Sequence, residues 1–426
     1  MDTNLKFAGD VNVESVIVKS LASGNSIDIK NQVLGINVYE DLFSPFMSGS
    51  ISVKDSLDIA NALPFSGEEI VHLKIETPSI NDKGKTIDAD FYVYKMGDRE
   101  YTNDRSVIYS LYFISVEAIT DANKKLSKGY KGSIDNMIKE LVKNPDGLDS
   151  SKQLFYEPSS DNIKFVANYW SPVKIIDFLS EKANNKSKSP SYIFYENRDG
   201  FNFVSLDTLY QQPIFQDFNY SNFTKIDGSY RDIAADYKRI THLSIPTVFN
   251  YLDDIQSGKF SSKRITYDFV TKQYKLEAFD YFQEYGRGRH LNQFPTASKN
   301  IIKKYNAWVT NDVSHYEIHT GFGSTTLDNS NAQRRRSLLL QSRSNCITIT
   351  VPGRLDYTVG QKVNLTLYKA EPIRTSDSND DILDKLNSGN YLISAINHNI
   401  SKVNGEHECV MELIKDSVMF DISKGN

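Results

Sequence analysis

Apolar and polar residues alternate in short runs through the first quarter of the chain. Turn-forming residues such as Gly35, Gly49 and Gly67 punctuate these runs. A period of two predicts half-buried antiparallel strands, and many short strands favour a small sandwich or barrel. The runs predicted as strands are 11–13, 15–17, 27–29, 33–38, 50–54, 70–75, 89–95 and 107–116.

The pattern changes to helical spacing in the middle of the chain. Apolar residues at 134, 137, 138, 141 and 142 share one helix face. A second helix is predicted after Ser171, with that serine as N-cap and Pro172 at the first helical position. A β-hairpin is predicted from Tyr192 to Leu206, with its turn at 197–200. Residues 121–228 therefore form a mixed α/β domain.

Strand patterns return at 233–243 and 263–270 and resume from Cys346. Residues 328–344 fit a helix with an Asn-rich start and an exposed arginine-rich face. The predicted fold class is β-rich α+β: two antiparallel β-barrels plus mixed α/β insertion modules. The predicted domains are a first barrel at 1–120, the middle domain at 121–228, a discontinuous second barrel at 229–271 and 343–418, an inserted module at 272–342, and a tail at 419–426.

Two stretches about 300 residues apart share a pattern, which predicts an internal repeat. In each stretch a glycine stands three residues before a β-branched residue, and two later positions are 18 residues apart. The matched positions are Gly67 with Gly360, Ile70 with Val363, Phe91 with Tyr391, and Tyr109 with Cys409. Three chains with two such domains each would form a ring of six similar domains, which matches threefold to sixfold symmetry.

Composition and charge narrow the function classes. The chain has 49 Lys+Arg against 54 Asp+Glu, a formal net charge of -5, which argues against a protein whose main task is to grip nucleic acid. The run Arg334, Arg335 and Arg336 is interpreted as a solvated or inter-subunit face, and a contact with DNA is left open. Apolar runs are too short for a membrane span, and the N-terminus lacks a signal-peptide pattern, so synthesis in a reducing cytosol is expected.

Candidate chemistry is sparse in the sequence. Cys346 and Cys409 fall on strands of one predicted barrel and could approach each other, although two buried free thiols are favoured. His315, Glu317 and His319 have a chelating spacing without a third ligand, and the pair Glu68–Glu69 points to opposite faces of a strand. The segment 321–324 lacks the lysine of a phosphate loop. No catalytic residue, cofactor site or metal site is therefore expected.

Several segments resemble a known family. Residues 38–55 (VYEDLFSPFMSGSISVKD) and 63–69 (LPFSGEE) resemble the N-terminal domain of the central baseplate hub proteins of contractile-tailed bacteriophages. The Trp170–Pro172 helix start, residues 254–264 and the arginine-bearing helix also fall where that family has counterparts. The hub part of type VI secretion spikes is similar too.

The resemblance implies a non-enzymatic virion protein with two tube-protein-like barrels per subunit. The implied assembly is a homotrimer in the tail baseplate, made in the host cytoplasm, that joins the sixfold tail tube to the threefold central spike. Its implied partners are the spike, the tail tube protein, and wedge or tape-measure proteins. DNA would pass the lumen without stable binding.

One apolar loop is predicted to contact the neighbouring subunit, because apolar side chains crowded beside a turn are candidates for burial against a partner. The loop residues are Leu42, Phe43, Pro45, Phe46 and Met47. Packing inside their own domain is the alternative for these side chains. For the whole chain, the alternatives are a β-rich cell-wall or glycoside hydrolase and a receptor-binding tail module.

Overall fold

The computed structural model describes residues 7–59, 63, 65–78, 85–103, 106–220, 233–247, 249–268, 272–298, 308–313, 331–369 and 382–424. The strands are β1 (Asn12–Ser20), β2 (Ser26–Asp28), β3 (Val33–Asp41), β4 (Ser48–Asp55), β5 (Glu69–Thr77), β6 (Lys85–Asn103), β7 (Ser106–Ser115), β8 (Leu126–Ser133), β9 (Leu154–Tyr156), β10 (Asn162–Trp170), β11 (Tyr192–Asn197), β12 (Gly200–Ser205), β13 (Gln216–Asn219), β14 (His242–Thr247), β15 (Ser261–Asp268), β16 (Gln273–Asp280), β17 (Phe294–Pro295), β18 (Trp308–Val313), β19 (Asn345–Pro352), β20 (Lys362–Thr366), β21 (Gly389–Ser401), β22 (Glu406–Lys415) and β23 (Ser417–Val418).

The helices are fewer and shorter. They are α1 (Val116–Asn123), α2 (Ile134–Lys143), α3 (Pro172–Lys182), α4 (Leu206–Tyr210), α5 (Ile233–Asp236), α6 (Tyr251–Gln256), α7 (Tyr281–Glu284) and α8 (Ala332–Ser342), with 3-10 turns at Lys30–Gln32, Tyr285–Arg287 and Ile422–Lys424. The fold is β-rich α+β, as predicted. Each helix in the described ranges is too short or too polar to span a lipid bilayer.

One 13-stranded sheet runs through both ends of the chain. Its order is β14-β19-β22-β21-β3-β4-β7-β6-β5-β1-β2, and β20 with β13 branches from β21. The antiparallel pair of β21 with β3 joins the C-terminal strands to the N-terminal ones, from Ala395 opposite Asp41 to Ser401 opposite Gly35. Among the described residues the path ends at β14 and β2 without closing.

The two halves of this sheet have the same strand order. The first half runs β3-β4-β7-β6-β5-β1, and the second runs β14-β19-β22-β21-β20-β13. The direction of the last strand differs, because β1 is antiparallel to β5 and β13 is parallel to β20. Both halves carry a β-bulge at the same place: Tyr94 is the extra residue between Val93 and Lys95, and Ser394 is the extra residue between Ile393 and Ala395. The internal repeat predicted from the sequence is therefore present in the fold.

The alignment of the repeat needs one correction. Val363 is buried opposite Tyr391, and the buried residue opposite Phe91 in the first half is Val71, not Ile70. The glycine therefore stands four residues before this inward position in the first half and three in the second. Both glycines have left-handed backbones, with φ of 90° at Gly67 and 85° at Gly360, which suits the turn into each strand.

Four apolar clusters stabilise the described part of the chain. The first lies under the N-terminal half-sheet and the second under the C-terminal half-sheet. The third belongs to the middle domain, where α2 and α3 pack against the β11–β12 hairpin. The fourth is small and surrounds the fully buried Tyr281. Leu355 and Ile400, from the C-terminal half, lie in the first cluster, so the two half-sheets share apolar contacts as well as strand pairing.

The local helix and hairpin predictions are confirmed. The apolar face at 134–142 forms α2, and Ser171 caps α3 by accepting the backbone N–H of Lys174. The β11–β12 hairpin turns between Asn197 and Gly200. Short-range signals suffice here because capping and helical spacing are local properties.

Two local predictions are wrong. Gly49 is predicted to mark a turn, yet it lies inside the paired strand β4. The stretch 233–243 is predicted as a strand, but it opens with the helical turn α5, and the backbone N–H of Tyr237 donates to the carbonyl of Ile233. Two alanines at 234 and 235 favour that helical turn.

Candidate functional site

The apolar loop between β3 and β4 lies where three cores meet. Leu42 is buried in the second cluster, Met47 in the first, and Phe46 packs against the third. Phe43 packs against the second cluster, and the guanidinium of Arg343 lies 4.3 Å above its ring. Leu42 and Met47 are buried within their own chain. The surface that the loop can offer to a neighbour therefore comes from the half-buried Phe43, Pro45 and Phe46. Their contact with another subunit stays a prediction.

The loop is held in shape by its own polar groups. The backbone N–H of Phe43 donates to the carboxylate of Asp41 at 2.7 Å, and the hydroxyl of Ser44 donates to the carbonyl of Phe46 at 3.2 Å. Such side-chain turns fix a short connection without long-range help. The three cores are therefore joined by a loop of defined conformation.

A buried carboxylate, Glu40, connects three parts of the chain. It lies on β3 and accepts the backbone N–H of Arg198 from the middle domain at 3.1 Å. From the C-terminal half it accepts the hydroxyl of Thr358 and the backbone N–H of Val359. Burial raises the pKa of Glu40 to about 7, against the lowering effect of these hydrogen bonds and of the Arg198 charge. The junction thus contains a carboxyl that titrates near neutral pH.

A second buried network joins the first half-sheet to the middle domain. The ammonium of Lys152 lies 2.6 Å from a carboxylate oxygen of Glu117 and 2.6 Å from one of Glu196. The other oxygen of Glu196 accepts the backbone N–H of Met47 at 3.0 Å, and Ser150 donates to Glu117. Burial raises the pKa of Glu196, while desolvation of Lys152 is outweighed by its two carboxylates, which raise its pKa.

A cleft of about 640 Å³ opens beside this network. Its lining is rich in carboxylates, and one wall comes from β6 while the other comes from the middle domain. The charged lining residues are Asp88, Asp90, Glu117, Asp149, Lys152, Glu196, Arg198 and Asp199. Glu117 and Glu196 contact the same ammonium, so their oxygens are at most about 5 Å apart, the spacing that retaining glycosidases use. Here the ammonium of Lys152 lies between them and forms an ion pair with each.

The arginine-bearing helix α8 does not present the exposed face expected of it. Arg334 donates to the carbonyl of Lys188, and Arg335 donates to the carbonyls of Pro190 and Tyr192. Burial lowers the pKa of Arg335 to about 10. These two side chains bind backbone oxygens of the middle domain. Lys188 and Pro190 lie in the exit loop after α3, and Tyr192 is the first residue of β11. Arg336 is exposed and donates to the carbonyl of Ser257.

The remaining sequence candidates fall in different places. Glu69 accepts the backbone N–H groups of Ser66 and Gly67, so it stabilises the turn into β5, and Glu68 is exposed. His315, Glu317, His319 and 321–324 lie outside the described residues.

The two cysteines are free and do not meet. Cys346 pairs with Ile414 and Cys409 pairs with Val351, five residues away along the same strand pair. That separation is about 16 Å, far beyond disulfide reach. Cys409 is buried and Cys346 is half-buried.

Sequence reasoning missed the buried charges at the junction. A signal for Glu40 was present, because Ile36, Val38 and Glu40 occupy successive inward positions of one strand. Lys152 and Glu196 gave no such signal, since only the tertiary structure brings Lys152, ahead of β9, next to a hairpin more than forty residues later.

Comparison with solved structures finds similar structures among tail proteins, some of them from prophages. A tail protein from Neisseria meningitidis MC58 superimposes with a TM-score of 0.56 at 10% identity, over 94% of this chain and 96% of that one. The 43 kDa tail protein of prophage MuSo2 from Shewanella oneidensis gives a TM-score of 0.53 at 8% identity, over 95% of this chain and 98% of that one. The prophage tail protein gp18 from Listeria monocytogenes EGD-e gives a TM-score of 0.49 at 10% identity, over 96% of this chain and 97% of that one.

The likeness to tail proteins is carried by the fold and not by the sequence. No family model matches the sequence, and no curated protein matches it. The two tail proteins with the higher TM-scores are covered almost from end to end, so the shared fold includes both half-sheets and the middle domain. The resemblance stated from the sequence is confirmed: this chain has the fold of phage tail proteins.

Proposed function

We propose that this chain is a structural protein of a phage-like contractile tail, and specifically the trimeric baseplate hub between the tail tube and the central spike. The observation that carries the proposal is the repeated half-sheet, with the same strand order and the same bulge in both copies. The fold shared with the Neisseria and Shewanella tail proteins supports it.

Geometry connects the repeat to this role. Each half-sheet covers its own apolar core. In the proposed trimer each half-sheet forms a tube-like unit, and three chains supply six such units around one axis. A ring of this kind meets a sixfold tube on one side and a threefold spike on the other. The β3–β21 pairing and the Glu40 junction hold the two units of a chain in a fixed relation, as a ring under load requires.

The partners follow from that position. The tail tube and the spike bind opposite faces of the ring, and wedge or tape-measure proteins bind around it. The site of action is the virion baseplate, after assembly in the host cytoplasm. DNA passes the lumen without stable binding, in keeping with a formal net charge of -5. The role is structural and needs no catalysis.

Two surfaces are proposed to meet a neighbouring copy. One is the loop with Phe43, Pro45 and Phe46. The other is the outward face of the β15–β16 pair, where Tyr267 lies opposite Tyr274 and Leu276 is 53% exposed. Tyr274 is 74% exposed, and contiguous exposed apolar side chains are typical of protein contacts.

Solution mass by light scattering after size exclusion tests the trimer. We expect about three times 48.4 kDa for the chain alone or after addition of its spike partner. Tyr274→Glu with Leu276→Glu, and separately Phe43→Asp with Phe46→Asp, should reduce this mass to one subunit. The control is Tyr101→Glu, since Tyr101 is 73% exposed on β6. It lies level with the end of β4 opposite the β3–β4 loop, and in a different sheet from β15 and β16.

Each result has a defined meaning. A monomer in the presence and absence of the spike would overturn the hub. Trimers in both variant pairs would reject the two surfaces and leave the hub standing. Circular dichroism of each variant shows whether the subunit is folded. This control matters most for Phe46→Asp, because the ring centroids of Phe46 and Phe201 in the middle core are 6.4 Å apart.

The carboxylate-lined cleft favours a second candidate, a cell-wall or glycoside hydrolase. The observation that favours a hydrolase is the close pair of Glu117 and Glu196 beside a cavity of about 640 Å³. Release of reducing sugars from peptidoglycan by the wild-type chain, with loss of that activity in Glu196→Gln, would support it. Lys152 argues against it, because a shared ammonium leaves neither carboxylate as a free acid or nucleophile.

A further inference from the structure

Two imidazoles and one thiol face one another inside the C-terminal half-sheet. His398 lies on β21 directly opposite Cys409 on β22, and His407 lies two residues before that cysteine. Nδ1 of His398 is 3.1 Å from Nε2 of His407, and Sγ of Cys409 is 3.4 Å and 3.5 Å from the same two nitrogens. The three side chains are at most 1% exposed.

These separations match one face of a tetrahedral metal site. Zn²⁺ binds imidazole nitrogen at 2.0–2.1 Å and thiolate sulfur at about 2.3 Å. At tetrahedral angles these bond lengths place two nitrogens about 3.3 Å apart and a sulfur about 3.6 Å from each nitrogen. The three observed distances are each within about 0.2 Å of that arrangement, so one ion reaches all three ligand atoms without rearrangement of the strands.

The two imidazoles differ in how their outer nitrogens are held. Nδ1 of His407, on the side of the ring away from the cluster, is buried and lacks a hydrogen-bond partner among the described residues. The ring of His398 is better supported, because it hydrogen-bonds the backbone carbonyl of Tyr357, the kind of partner that orients a metal-bound imidazole. Packing also fixes His407: a Cβ added at Gly353 would lie 2.3 Å from its ring.

Charged groups of both signs surround the cluster. The carboxylates of Asp356 and Glu40 lie close enough to act on the Cys409 thiol, and so does the guanidinium of Arg354, which pairs with Asp356. The other oxygen of Asp356 is buried without a hydrogen-bond partner in the described part of the chain.

We propose that His398, His407 and Cys409 bind one Zn²⁺ that fastens β21, β22 and the N-terminal segment to the second core. On binding, the Cys409 thiol releases its proton to solvent and the thiolate bonds to the metal. The carbonyl oxygen of Arg354, 3.9 Å from Sγ, or a water completes the four ligands. Gly9 and Asp10 lie beside the site, because the carbonyl of Gly9 accepts the backbone N–H of His407 and Asp10 bridges to Glu406. The three ligand side chains are at most 1% exposed, so the ion enters during folding.

Refolding the full-length chain with Co²⁺ or Zn²⁺ tests the site. Co²⁺ should give one bound ion per chain with the intense d–d bands of tetrahedral coordination and a thiolate-to-cobalt charge-transfer band. Cys409→Ser and His398→Gln should each abolish the charge-transfer band or the tetrahedral spectrum. Cys346→Ser is the matched control, because it removes the other free cysteine on the same strand pair and should leave the spectrum unchanged.

Zn²⁺ content and thermal stability give independent readouts. Elemental analysis after dialysis should find one Zn²⁺ per wild-type chain, and the metal-loaded chain should melt several degrees above the chain refolded with a chelator. If Cys409→Ser does not fold, the wild-type comparison alone decides. A wild-type chain that refolds with Co²⁺ but shows no thiolate band, or whose band disappears in Cys346→Ser, would overturn the site.

Discussion

At the scale of single residues, the junction is stabilised by charges that burial would ordinarily exclude. Glu40 is accepted in the interior because three donors from two other parts of the chain point at its oxygens. Lys152 plays the opposite role, since its one ammonium forms ion pairs with two carboxylates. Removing one member of such a set costs more than the set contributes, because the remaining charge stays buried.

Glu40 gives a pH dependence with a definite sign. Its folded-state pKa of about 7 lies above the usual 4.5, so the folded chain holds a proton that the unfolded chain releases. The contribution of Glu40 to stability is therefore present below about pH 4.5 and is lost as the pH rises towards 7, by up to about 1.4 kcal/mol per pH unit.

Glu40→Gln isolates this effect. We expect the variant to be less stable than wild type at pH 5, because one amide N–H would face another donor, and the gap should narrow by pH 8. Urea unfolding from pH 5 to 8 measures the difference. The exposed Glu68→Gln serves as control and should follow the wild-type profile; parallel profiles for Glu40→Gln and wild type would contradict the assignment.

Lys152→Met should lower the free energy of unfolding of the middle domain by about 3 kcal/mol, because Glu117 and Glu196 would then be buried without a counter-charge. Adding Glu117→Gln and Glu196→Gln to the same chain should restore most of the loss. The fluorescence of Trp170, which packs against the middle core, reports the transition.

The control for Lys152 is a surface pair in the same domain. Lys128 and Glu140 are 2.5 Å apart but well exposed, so Lys128→Met should change the stability by no more than about 0.5 kcal/mol. The expectation would be contradicted if Lys152→Met and Lys128→Met lost the same free energy of unfolding, or if the triple variant regained none. Either result would show that burial of the Lys152 network does not determine its contribution to stability.

At the scale of elements, the repeated half-sheet is the main feature. Strand order, the bulge and the inward residues Phe91 and Tyr391 recur about 300 residues apart. The sequence revealed this because an inward strand position must be apolar in both copies, and because a bulge preserves the spacing along the chain. The sequence alignment matched Val363 with Ile70, one residue before the inward-pointing Val71. Alternation alone does not say which of two neighbouring residues points inward.

Strand β4 offers a sharp test of packing at this scale. A Cβ on Gly49 would lie 2.2 Å from the ring of Phe113 and 2.3 Å from the carbonyl of Asn37. Because one of these neighbours is backbone, β4 must shift, and Gly49→Ala should lower the stability by about 2–3 kcal/mol.

Gly129→Ala is the matched control on β8, where a Cβ would meet nothing within 4 Å. Its free energy of unfolding should lie within about 0.5 kcal/mol of the wild-type value. Urea unfolding of both variants checks the pair of expectations. Similar stabilities for the two alanine variants would mean that β4 adapts freely, against the close packing described here.

At the scale of the whole molecule, two half-sheets and a middle domain are joined at one place. The β3–β4 loop, Glu40 and the Lys152 network all lie at this junction, and each connects segments far apart in sequence. These contacts hold the three parts in a fixed relation, which suits the hub proposed above, whose trimer is tested by its mass in solution.

The sequence by itself determined the fold class, the α2 and α3 helices, the hairpin and the repeat. These follow from periodicity and capping, which are written within a few neighbouring residues. Only the tertiary structure decided that Arg335 binds the carbonyl of Tyr192, that β3 pairs with β21, and that His398, His407 and Cys409 meet. Their proximity depends on strand register and chain crossing, and a local pattern carries neither.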